Sequence, residues 1–173
     1  MIKEFEKRLL STLVLIPLSF FLIINGSSFF LFFLLTCFIV SSVEWHMMSK
    51  KKNYNLIGYI FLFFSFYSAY SIRNNFGEES LIIFLLILIT CISTDIGGYV
   101  FGKFFKGPKL INISPKKTYS GMIGGFFLSI ISIYFLLNYS YLIYSENIQF
   151  TFEVFIIVTI ISTTSQVGDI FIS

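Results

Sequence analysis

Alanine occurs once in this chain, at Ala69, histidine once, at His46, proline three times and cysteine twice, and charged residues fill only 12% of its 173 positions. So little charge excludes a water-soluble globule, in which about a quarter of residues are charged. Cys37 and Cys91 both sit in apolar runs, where a small buried hydrophobe is the default, so neither a disulfide nor a metal is assigned to them. A lone histidine beside a membrane surface supports no catalytic role. Alternating apolar and polar strands are absent, which excludes a membrane barrel. No small-residue cleavage site follows the first apolar run, although Lys3, Lys7 and Arg8 precede it as in a secretory signal; a retained helical hairpin is expected. The scarcity of alanine beside abundant Phe, Ile, Asn, Lys and Tyr reflects an AT-rich base composition and carries no chemistry.

What is present is membrane sequence. Mean hydropathy is +0.86, and uncharged apolar runs recur, each near the roughly 20 residues that cross a bilayer as a helix. Six spans are expected: Leu9–Ile24, Phe29–Val43, Leu56–Ile72, Leu81–Thr94, Met122–Leu137 and Val154–Gly168. Eleven of the 12 Lys and Arg residues fall before span one, after span two and after span four, and only Arg73 falls opposite. The positive-inside rule therefore places both termini and the loop after span four in the cytoplasm. The fold class expected is all-α, polytopic, in a single transmembrane helical domain over residues 1–173.

One polar island interrupts this pattern, Thr94–Gly125, with an acid, five lysines and seven glycines. Ser114 before Pro115 reads as a helix start, since Ser caps free N–H groups and Pro suits the first helical position. Lys116, Lys117 and Thr118 would then occupy the first turn. Cations there oppose the helix dipole unless an anion is also bound, and a phosphate would resolve the conflict. The competing reading is that these lysines only enforce topology and touch lipid head groups. The glycines fit close helix packing in lipid. GGYVFGKF is not a P-loop, because Phe104 stands where Ser or Thr must hold magnesium and a membrane span precedes it. Asp95 and Asp169 stand at the ends of the fourth and sixth spans; acids at such depth are functional candidates, for metal or for substrate. Trp45 after Glu44 is an interface residue.

The run T-D-I-G-G-Y-V-F-G-K from Thr94 to Lys103, K-L at Lys109-Leu110, I-S-P-K-K-T from Ile113 to Thr118 and G-x-I-G-G from Gly121 to Gly125 resembles phosphatidate cytidylyltransferase, the CDP-diacylglycerol synthase family. Glu44-Trp45 and S-Q-V-G-D from Ser165 to Asp169 fit the same pattern. The resemblance implies a bacterial inner-membrane enzyme with a cytoplasmic active side, joining CTP and phosphatidate into CDP-diacylglycerol with Mg²⁺ as cofactor. It implies Asp169 as a magnesium ligand, Asp95, Asp169 and Lys117 as catalytic, and Ser114, Lys116, Lys117 and Thr118 as phosphate contacts. Partners are CTP, phosphatidate and the bilayer; a homodimer is compatible and nucleic acid is not expected. Family members continue beyond this point into a S-x-hydrophobic-K-R-x4-K-D signature. Here Ile172 replaces the usual Glu and the chain stops at Ser173, so a truncated and inactive chain is expected. Two alternatives stay open: a CTP-dependent lipid kinase of the polyprenol type, and a non-catalytic membrane remnant. CDP-alcohol phosphatidyltransferases are disfavoured, since their D-G-x2-A-R…G-x3-D-x3-D pattern is absent.

Overall fold

The computed structural model describes residues 2–49, 55–111, 114–140 and 149–172. The lysines expected to follow span two, Lys50 to Lys52, lie outside the described residues, as do Ile113 and the side chains of Ser114 and Lys116. The chain divides into two compact units, Met1–Leu81 and Ile82–Ser173.

In the first unit, α1 (Ile2–Asn25) packs on α2 (Ser27–Ser49), and α2 on α3 (Asn55–Asn75). Only Gly26 separates α1 from α2, at φ +62, followed by Ser27 at φ +47; a residue without Cβ makes this reversal at little cost. Arg73, at the end of α3, reaches back to it. Its Nη2 lies 3.3 Å from the carbonyl oxygens of Ile23 and Ile24, and its Nη1 3.2 Å from Ser80 Oγ. The last carbonyls of a helix have no partner within it, so the guanidinium satisfies them and offsets the negative helix end. At the opposite end of α2, the Trp45 ring covers Gly58, leaving no space for a Cβ, and Trp45 Nε1 donates to the Asn55 carbonyl at 3.0 Å. His46 Nδ1 lies 3.2 Å from the Tyr59 hydroxyl. α3 fully buries none of its residues, and its Phe61 is 69% exposed. An apolar surface on that scale is stable against lipid and not against water.

The second unit holds most of α4 (Ser80–Phe105), then β1 (Lys109–Ile111), β2 (Ser114–Thr118), α5 (Tyr119–Tyr139) and α6 (Phe152–Ile172). Its core is Ile82, Ile133, Leu137 and Val158, supplied by all three helices. Among the described residues five helices, α2 to α6, are long and apolar enough to cross a bilayer, and α1 carries a further apolar segment, Leu10–Asn25. The all-α expectation holds apart from one antiparallel ribbon, in which Lys109 pairs with Thr118 and Ile111 with Ser114.

Two local expectations are corrected. Asp95 does not end a helix, because α4 continues through the glycines to Phe105. Ser114-Pro115 does not start one, because Ser114, Lys116 and Lys117 are in β2. Pro115 is tolerated in so short a ribbon, where edge strands leave N–H groups unpaired. The helix starts one strand later, with Thr118 as N-cap in extended conformation (φ −122, ψ 155), its side chain accepting the Gly121 N–H at 3.2 Å. The ribbon base is bound to that turn: Tyr119 N–H donates to the Pro108 carbonyl at 3.1 Å, and Gly107 N–H to Ser120 Oγ at 3.3 Å. Lys116 and Lys117 therefore lie ahead of the first turn, and the dipole conflict read from the sequence does not arise.

Candidate active site

Three helices and β2 converge on a cavity of about 240 Å³. Close helix approach creates it. A methyl group on Gly121 would lie 2.7 Å from the Gly98 carbonyl oxygen; one on Gly97 would strike the Gly124 carbonyl, and one on Gly124 the Phe101 side chain. The glycines of the island thus serve as contact points between α4 and α5, the packing role that small residues take in lipid. Gly98 faces the cavity with nothing closer than 3.8 Å to a Cβ.

α4 lines the cavity with Thr94, Asp95, Gly98 and Tyr99, and β2 with Lys117 and Thr118. α5 adds Gly121 and Met122, and α6 adds Gln166, Asp169 and Ile170. Four of the six residues expected to carry chemistry, Asp95, Lys117, Thr118 and Asp169, are thereby gathered from positions up to 74 apart in the sequence. Ser114 and Lys116 are placed on β2 by their backbone alone. Lys117 Nζ lies 2.8 Å from Asp169 Oδ2, and the two side chains are 30% and 52% exposed. Asp95 feels the charge of both. Tyr99 forms part of the rim, with Lys103 Nζ 3.5 Å from its hydroxyl and 5.6 Å from its ring centre. Thr94, Tyr99, Met122 and Gln166 were not expected from the sequence. A Gln following Ser162-Thr163-Thr164-Ser165 in an uncharged span was the signal available for Gln166, since buried amides need partners in lipid.

The lining carries two carboxylates and one ammonium, an excess of negative charge facing the N-terminus of α5. A polyphosphate would be repelled by the acids and attracted by the helix end and Lys117. A hard cation would reconcile them. Among the described residues no cluster of three or more His, Cys, Asp or Glu is present. Two carboxylates with a hydroxyl nevertheless suit magnesium, which usually takes one or two carboxylates and completes its shell with water and substrate phosphate. The donor set fits that ion.

Residues 54–173 match the model of the cytidylyltransferase family. The chain is 33% identical to a phosphatidate cytidylyltransferase of Rickettsia bellii (strain RML369-C) over 177 residues, covering 96% of this chain and 72% of that protein. It is 39% identical over 104 residues to phosphatidate cytidylyltransferase 1 of Homo sapiens, covering 54% of this chain and 22% of the human protein. Phosphatidate cytidylyltransferase 2 of Homo sapiens is 34% identical over 112 residues, with 61% and 25% covered. The chain thus spans about a quarter or less of the mammalian relatives it matches. No solved structure matches it. The family model covers the second unit, its ribbon and every residue of the cavity, and the bacterial relative extends the likeness across nearly the whole chain: the chain belongs to the cytidylyltransferase family.

Proposed function

We propose that this protein is a membrane nucleotidyltransferase that joins CTP and phosphatidate into CDP-diacylglycerol and pyrophosphate. The observation that carries the reading is the Lys117–Asp169 pair beside Asp95, in a cavity that opens at the N-terminus of α5. An oxygen of the lipid phosphate forms a bond to the α-phosphorus of CTP. The bond from that phosphorus to the bridging oxygen breaks, and pyrophosphate leaves with the electron pair. Both reactants are anions, so positioning and charge neutralisation supply most of the catalysis.

Four cavity residues have a part in that scheme: Asp95, Lys117, Thr118 and Asp169. Lys117 balances Asp169 in the free protein and turns to a phosphate oxygen when substrate enters. The positive end of α5, capped by Thr118, faces the same phosphates. Asp95 and Asp169 would hold Mg²⁺, which when bound neutralises charge on the triphosphate and on the leaving pyrophosphate. Ser114 and Lys116, on the same ribbon, contribute further phosphate contacts. The active side faces the cytoplasm of a bacterial inner membrane, where CTP is available, in keeping with the charge asymmetry of the loops.

Protein reconstituted in phosphatidate vesicles and supplied in parallel with CTP labelled in the cytidine and CTP labelled at the γ-phosphate tests this directly. Cytidine label recovered on the lipid supports the proposal. Transfer of the γ-phosphate alone would mean a lipid kinase, and no transfer would leave a membrane protein without this activity.

A further inference from the structure

The cavity wall holds a polar cluster that the reaction scheme above does not use, in which Thr94 and Gln166 line the cavity and both contact Ser162. Thr94 on α4 and Ser162 on α6 are 1% and 0% exposed. The Thr94 hydroxyl reaches the Thr90 carbonyl at 2.7 Å and Ser162 Oγ at 2.9 Å. The Gln166 amide donates to Ser162 Oγ and to the Met122 carbonyl of α5, each at 3.4 Å. The Thr90 carbonyl can only accept and so takes the Thr94 proton; Ser162 therefore donates to Thr94 Oγ1 while its oxygen accepts from Gln166. The hydroxyl pair joins α4 to α6, and the Gln166 amide joins α6 to α5. Gly125 leaves the space for it: a methyl group there would lie 3.0 Å from the Thr94 carbonyl oxygen and 3.1 Å from Gln166 Nε2.

The placement of this cluster relative to the acids is what gives it a use. Thr94 immediately precedes Asp95, and Gln166 lies one helical turn before Asp169, so each end of the network adjoins one carboxylate. Elsewhere α4 and α6 meet through apolar side chains and a contact of the Cys91 thiol with Ser165, and apolar packing alone permits sliding and rotation at lower cost. Buried hydrogen bonds are directional, and breaking one in a dry environment strands a polar group. We infer that the Thr94–Ser162–Gln166 network is a positioning device that fixes the spacing of Asp95 and Asp169 across the cavity. This rests on the reading of those two acids as the pair that handles cation and phosphate. A displacement of about 1 Å in such a pair can reduce turnover roughly a hundredfold.

The test has one arm that needs no turnover. In full-length protein with Cys37→Ser and Cys91→Ser, Asp95→Cys and Asp169→Cys are joined by a series of bifunctional thiol reagents of graded length. Expected is one preferred length with Thr94 present, a broadened or shifted preference with Thr94→Val or Ser162→Ala, and the original preference with Thr94→Ser. The second arm is turnover of CTP and phosphatidate with Asp95 and Asp169 intact. There Thr94→Val should lower kcat at least about tenfold with little change in KM, and Thr94→Ser should restore it. An unchanged cross-linking preference in Thr94→Val, or failure of Thr94→Ser to restore it, overturns the network whatever the turnover. The expected cross-linking without any turnover in the parent protein would instead overturn the proposed reaction and leave the positioning role standing.

Discussion

Lys117 on β2 and Asp169 in the last turn of α6 meet at 2.8 Å, so a two-stranded ribbon outside the helical bundle is joined by charge to the end of the chain's last described helix. Both side chains are partly exposed. A pair in that setting contributes only about 0–1 kcal/mol to stability. Its value is chemical: it keeps an ammonium and a carboxylate together beside a second acid.

Replacing Asp169 by Asn should therefore leave thermal stability in detergent nearly unchanged while reducing cytidylyl transfer at least about a hundredfold. Lys117→Ala should weaken the binding of CTP or phosphatidate more than tenfold, since a lost hydrogen bond to a charged group costs roughly 1.5–3 kcal/mol. Steady-state kinetics on both variants checks this, and wild-type constants for either would remove that residue from the site.

The α4–α5 contact makes a prediction about size alone. Gly121→Ala should destabilise the protein by about 1–3 kcal/mol, because the added methyl meets backbone at 2.7 Å and neither helix can yield locally. Gly168→Ala, with nothing near the added atom, should be neutral or slightly stabilising, as alanine favours helix. Unfolding midpoints of the two variants in one detergent decide the matter.

Trp45 is the only tryptophan, so its fluorescence reports the α2–α3 contact. Gly58→Leu should displace the ring, break its 3.0 Å bond to the Asn55 carbonyl and alter the emission maximum. The Asp169→Asn spectrum should match wild type. An unchanged spectrum in Gly58→Leu would show that the indole does not rest on α3.

Arg73 satisfies the open carbonyl end of α1. Arg73→Leu should lower stability by about 1–3 kcal/mol through the stranded acceptors and the uncompensated helix end. Arg73→Lys should recover part of the loss, since a single ammonium cannot span the same acceptors as a fork. Equal stability of Arg73→Leu and wild type would refute the capping role.

Sidedness is open to a direct measurement. Lys109→Cys should resist impermeant thiol reagents in intact cells and react in inverted vesicles. Labelling from outside would reverse the topology and move the cavity away from cytoplasmic CTP.

The sequence carried the helices legibly because lipid makes one demand of every span, internal pairing of its backbone within a long apolar run. It also carried the island as the place for chemistry, because acids and lysines amid apolar sequence need a reason to be there. It misplaced the start of α5. Ser114-Pro115 and Thr118 both satisfy the local rules for a helix start, and the contest between them is settled by long-range pairing of Lys109 with Thr118 and by the bond from Tyr119 N–H to the Pro108 carbonyl. Likewise, nothing local showed that α4 continues past Asp95, because glycines that weaken a helix in water are held in one by the close packing of α5.

Composition and periodicity alone thus determined that this is a helical membrane protein, and charge asymmetry alone set the expected orientation. Both are properties that each segment has by itself in its solvent. That Asp95, Lys117, Thr118 and Asp169 share one cavity, that Thr94 meets Ser162, and that Arg73 ends α1 were decided only by tertiary structure. These contacts join residues far apart in the chain, and which of them form depends on how closely the glycine faces let the helices approach.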